Sequence, residues 1–112
     1  MQRNQVLSML GIAAKAGKVK SGEFSTEKAV KSGQAHLVIM SSEASENTKK
    51  KFYDMTGFYH VPCYTYADNE SLGRSIGKQF RVSLAVTDER LAKSVEDKLK
   101  KSSAPMEQIT TE

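Results

Sequence analysis

Between residues 3 and 15 apolar side chains recur at every third or fourth position, as Val6, Leu7, Leu10, Ala13 and Ala14, and Gly17 closes the run. That spacing predicts an amphipathic helix. A short strand is expected at 18–21. Gly22 then opens a second helix, over 24–32, which Gly33 stops. The stretch "HLVIMS" at 36–41 is apolar through its centre, which predicts a strand buried on both faces. A third helix is expected over 42–55, with Ala44, Thr48, Phe52 and Met55 inward. "VPCYTY" at 61–66 reads as a strand that Pro62 begins or places at an edge. A short helix over 69–77 would turn Leu72 and Ile76 inward, and "VSLAVT" at 82–87 predicts the last strand. Asp88 can cap a final helix whose Leu91, Val95 and Leu99 form one stripe, closed by Lys98, Lys100 and Lys101.

Strands thus alternate with helices, so the fold class is α/β with helices on both faces of a small sheet. No repeat or internal linker interrupts it, and 112 residues suffice for one core. One domain is expected over 1–101. The end, "SSAPMEQITTE" at 102–112, has no apolar period and is expected to be a disordered tail.

Composition adds limits. No apolar run approaches the roughly 20 residues of a membrane span, and "MQRNQVLSML" is too polar for a signal peptide. The single cysteine, Cys63, excludes an internal disulfide and suits a reducing cytoplasm. Residues 1–31 hold six basic and two acidic side chains, while 32–112 hold eleven of each, so the whole net charge of +4 lies in the first segment. A localised basic patch points to a polyanion partner. The plainer reading is charge that keeps a small domain in solution.

Phosphate loops fail on spacing. "GIAAKAGKV" puts five residues between Gly11 and Gly17, and "GRSIGKQ" puts three between Gly73 and Gly77. Neither lysine is followed by the hydroxyl that would hold magnesium, so Gly17 and Gly77 read as helix ends. His36, His60 and Cys63 show no paired ligand spacing, so no metal site is expected. Neither a nucleophile elbow nor a carboxylate pair occurs, so no catalytic residue or cofactor is assigned. "NTKKKF" at 47–52 reads as a solvated face or a weak part of a polyanion surface.

Two segments remain. At Gly22 a helix N-terminus would offer unpaired amides and a positive dipole end, with Lys18 and Lys20 before it and Lys28 and Lys31 on one side of it. That makes an anion-binding edge, or else a plain surface helix. In "GKQFRV" at 77–82, Lys78, Phe80 and Arg81 can stack on or hydrogen-bond to an unpaired base. Alternatively Phe80 is core and the two cations are solvated.

The order and spacing of "LGIAAKAGKVKSGE", "AHLVIMSSEASENTKKK", "YHVPCY" and "LGRSIGK…VSLAVTD" resemble the kink-turn RNA-binding family of ribosomal and box C/D core proteins. Within it they look like the bacterial YlxQ-type branch. The resemblance covers about residues 1–100. It implies an α/β/α sandwich with a four-stranded mixed sheet and no enzymatic activity. It also implies that RNA meets the start of helix 2 and the loop before the last strand. In the wider family a glycine, an Asn-Glu pair and a lysine read sheared G·A pairs. Gly22 and Lys28 match the outer two positions, while the pair is replaced by Phe24 and Ser25, with Glu23 adjacent. Backbone gripping survives that loss better than base readout. The second element carries over as Lys78, Phe80, Arg81 and Val82, where Arg81 shifts the balance toward phosphates.

The expectation is therefore a cytoplasmic, monomeric, non-catalytic protein that binds kink-turn-like structured RNA, ribosomal or messenger, in association with the ribosome. A protein adaptor on the same fold, anchored through Tyr53, Phe58 and Tyr59, is the alternative.

Overall fold

The computed structural model describes residues 4–102, and the expected tail lies outside them except for Ser102. Five helices and four strands follow in the order α1 (Gln5–Lys15), β1 (Val19–Ser21), α2 (Glu23–Lys31), β2 (Leu37–Met40), α3 (Glu46–Tyr59), β3 (Cys63–Thr65), α4 (Asn69–Ser75), β4 (Ser83–Val86) and α5 (Glu89–Lys101).

The sheet order is β1-β4-β2-β3. β4 lies antiparallel to both β1 and β2, while β2 and β3 run parallel, so the sheet is mixed. β2 and β4 are buried along their whole length, as their apolar runs require. Alternate side chains go to opposite faces. Leu37, Ile39, Tyr64, Leu84 and Val86 pack with Leu10, Leu72, Val95 and Leu99 beneath α1, α4 and α5. Val38, Met40, Cys63 and Ala85 pack with Ala29, Val30 and Phe52 beneath α2 and α3. The result is a three-layer α/β/α sandwich with two half-cores. Each fully buried leucine or phenylalanine contributes about 2 kcal/mol. The buried Tyr64 hydroxyl donates to Glu96 at 2.8 Å, which ties α5 to β3.

The third helix departs from expectation. It spans 46–59, not 42–55. Ser45 caps it, accepting from the Thr48 amide at 3.1 Å. The preceding residues form a turn in which the Ser41 hydroxyl accepts from the Glu43 amide. The far end runs through Gly57 to Tyr59 because one helical glycine costs only about 1 kcal/mol, and His60 closes it in the left-handed region at φ 61°. Phe52 and Thr56 carry its buried face, Thr48 and Met55 are half-buried, and Ala44 is buried ahead of the helix. Gly17 and Gly77 sit just past α1 and α4 at φ 75° and 79°, as helix ends.

The strand registers define two poles. The starts of α2, α3 and α4 and the loop before β4 gather at the ends of β1, β2 and β3. The ends of α2 and α3, the start of α5, His36 and Pro62 gather at the other pole.

Candidate nucleic-acid interface

Four of the five described helices carry a side-chain cap: Asn4, Ser45, Asp68 and Asp88 each accept from an amide in the first turn. At α2 the N-cap is Gly22, with no side chain to offer. Its φ of 93° suits glycine and strains other residues, and a Cβ there would meet nothing within 4 Å. The first amides of α2 therefore have no side-chain cap, beside a glycine held by its own N–H, which donates to Ser83 O at 2.9 Å. That hydrogen bond fastens the helix start to the head of β4.

Around this point lies a cleft of about 490 Å³ lined by Ser21, Gly22, Glu23, Ala44, Phe80 and Arg81, among others. The fold thus brings together the two segments picked from sequence. Phe80 is exposed on the cleft, and Val82 is half-buried. Lys28 and Lys78 are exposed, and no ion pair holds either of them among the described residues. Lys20 is exposed on β1 opposite Ala85, on the α2 side of the sheet. Lys18 lies at the far end of β1, four residues and about 13 Å from Gly22 at strand rise, with its carbonyl accepting from Thr87.

Three candidates are engaged within the protein. Arg81 is half-buried. Its Nε donates to Ser21 Oγ at 2.9 Å and its Nη1 to Phe80 O at 2.8 Å. Its amide donates to Asn69 O at 3.0 Å, and the Asn69 amide donates to the Glu43 carboxylate at 2.9 Å. Arg81 thus ties the loop before β4 to the last residue of β1, so its guanidinium sets spacing within the cleft. Lys31 pairs with Glu27 at 2.7 Å. Glu23 points to α3, where Lys51 pairs with it and with Glu27 at 2.9 Å each. The hydrogen bonds from Lys31 and then Lys51 hold the Glu27 carboxyl down at about 2, and the hydrogen bonds to Glu27 and then Glu23 raise Lys51. Ser25 is half-buried and Phe24 is exposed.

Sequence reasoning missed four parts of this arrangement. The Glu43 carboxylate, which precedes α3, serves the first turn of α4. Ser21 and Asn69 hold Arg81 from sites 60 and 12 residues away, a relation no local pattern encodes. Gly73 packs directly on the loop: a Cβ there would lie 2.4 Å from the Phe80 Cα. A glycine inside a predicted helix was the available signal for that close approach. Of the aromatics proposed as a protein anchor, Phe58 and Tyr59 are exposed, but Tyr53 is half-buried with its hydroxyl bonded to Thr65.

The chain matches the ribosomal protein L7Ae/L30e/S12e/Gadd45 family over residues 4–96 and belongs to it. The family is non-enzymatic. The RNA-binding protein YlxQ of Bacillus subtilis is 44% identical over 84 residues, covering 75% of this chain and 84% of that one. The Enterococcus faecium protein of the same name is 33% identical over 95 residues, covering 85% and 91%. A solved structure of a protein with unknown function from Bacillus halodurans C superposes with a TM-score of 0.85 at 39% identity, covering 88% of this chain and 99% of that one. This chain is therefore similar to the YlxQ-type branch.

Proposed function

We propose that the protein binds structured RNA without catalysis, gripping a sharply bent, kink-turn-like element at the start of α2 and the loop before β4. One observation carries the reading: the N-terminus of α2 is uncapped by any side chain and begins at a glycine with open space at its Cβ position, beside the exposed Lys28. Amides and the helix dipole favour a phosphate there, and Lys28 adds a cation that no acid in the described residues neutralises. Lys20 and Lys78 extend the positive field, Phe80 or Val82 packs on an extruded nucleotide, and Arg81 holds the two segments in register. The relatives named as RNA-binding proteins support the same reading, and the ribosomal family supports association with the ribosome in the cytoplasm.

If four to six phosphates are engaged, log affinity falls with log salt at a slope of about −3 to −5. The test is a salt-titrated gel shift on a kink-turn hairpin and on its fully paired counterpart. Preference for the bent hairpin, lost on Lys28→Ala, is expected. Equal binding of both RNAs removes the kink-turn claim, and no binding of either removes the RNA reading. A protein adaptor is the second reading, favoured by the exposed Phe58–Tyr59 pair at the opposite pole. A complex that survives ribonuclease and high salt would support it.

A further inference from the structure

Phe24 is the most exposed large apolar side chain among the described residues, at 78%. It lies in the first turn of α2, away from the buried face formed by Thr26, Ala29 and Val30. Phe24, Glu27, Lys28 and Lys31 follow the spacing i, i+3, i+4, i+7, which is one stripe of a helix. Together with Ser32 they line a groove of about 410 Å³ outside the cleft described above. One wall is an aromatic ring, and two lysines, the Glu27 carboxylate and Ser32 form the rest. The carboxylate in the groove, Glu27, is neutralised twice, by Lys31 at 2.7 Å and Lys51 at 2.9 Å. The stripe therefore presents a flat apolar surface with a net positive rim. A nucleotide has that complementarity: a planar base for the ring and a phosphate for Lys28. An aliphatic ligand would leave the cations unused, and a bare anion would leave the ring in water.

We infer that Phe24 is a stacking platform for an unpaired nucleobase whose phosphate is held by Lys28. The preferred RNA then carries a looped-out nucleotide on the α2 side of the bend. The inference rests on the RNA-binding reading and narrows it to a substrate class, and it assigns to the ring a role that a base-edge hydrogen bond cannot fill.

The test measures affinity for two probes, an RNA hairpin with a three-nucleotide bulge and the same stem fully paired. Phe24→Ala, Phe24→Leu, Phe24→Tyr and Lys28→Ala are compared with the parent, with melting curves to show that each is folded. Because the ring is in solvent, its replacement leaves the fold intact. Phe24→Ala is expected to lose about 5- to 150-fold on the bulged hairpin, the usual worth of one base–aromatic stack, and little on the paired stem. Phe24→Tyr should bind like the parent and Phe24→Leu like the alanine variant. Parent-like binding by Phe24→Ala, an equal loss on both probes, or full activity of Phe24→Leu each overturns the stacking role. If Lys28→Ala weakens binding while Phe24→Ala does not, only this inference fails. If the parent binds neither probe, or Lys28→Ala is without effect, the interface itself falls, and the inference with it.

Discussion

Each pole of the sheet exposes two aromatic rings, but their surroundings differ. Phe24 and Phe80 flank the start of α2, which has no side-chain cap and lies near the unpaired Lys28, with Glu23 beside it engaged by Lys51. Phe58 and Tyr59 lie at the end of α3, with ring centroids 5.0 Å apart in an edge-to-face arrangement. The neighbouring groove of His36, His60 and Pro62 carries three acids, Glu89, Glu96 and Asp97, against two lysines, Lys93 and Lys100. Aromatic exposure is thus common to both poles; the start of α5 at the second pole is capped by Asp88, whereas the start of α2 at the first has no side-chain cap. A helix that leaves a strand at one pole carries its positive end there and its negative end to the other.

The comparison can be broken at several points. Gly73→Ala should have the largest effect, because its Cβ would press on the Phe80 backbone. Loss of about 3 kcal/mol in denaturant unfolding is expected, with RNA affinity falling as the loop is displaced. Next, Lys28→Ala should weaken RNA binding by about 1–3 kcal/mol and make the salt slope shallower by about one. Phe58→Ala at the opposite pole should change affinity by less than about 0.5 kcal/mol. Equal effects at the two poles in the same titration would refute the polarity drawn here. Arg81→Met should weaken binding by about 1 kcal/mol while leaving the salt slope unchanged, since its guanidinium is occupied by Ser21 Oγ and Phe80 O. Ser21→Ala should add little on top of it, and a double-mutant cycle measures that coupling.

The smallest effect is a pH dependence. Glu27 is depressed in the folded state to about 2 by Lys31 and then Lys51. A depressed carboxyl stabilises the fold fully above its unfolded value and loses that contribution as pH falls through the folded one. The difference in melting temperature between the parent and Glu27→Gln should therefore shrink from about pH 4.5 down to about pH 2. A constant difference across that window would mean that the ion pairs on α2 and α3 contribute nothing to stability.

Much of this architecture is legible along the chain. The strands at 37–40 and 83–86 follow from runs too apolar to face water. The α5 stripe follows from Val95 and Leu99, and the helix ends from Gly17, Gly33 and Gly77. The local features of the candidate interface were equally visible: a glycine before a helix, lysines around it, and an aromatic in a basic loop. These are short-range properties, set by backbone sterics and by periods of two or 3.6 residues, and neighbouring side chains encode them directly. What lay beyond sequence is the set of partnerships. Lys51 reaches back to Glu23 across 28 positions, and Arg81 reaches Ser21 across 60. Such pairs exist because β4 inserts between β1 and β2 and brings distant loops to one end of the sheet. Which charges remain free for a ligand is a property of that assembly, since an ion pair depends on distance in space and not on separation along the chain.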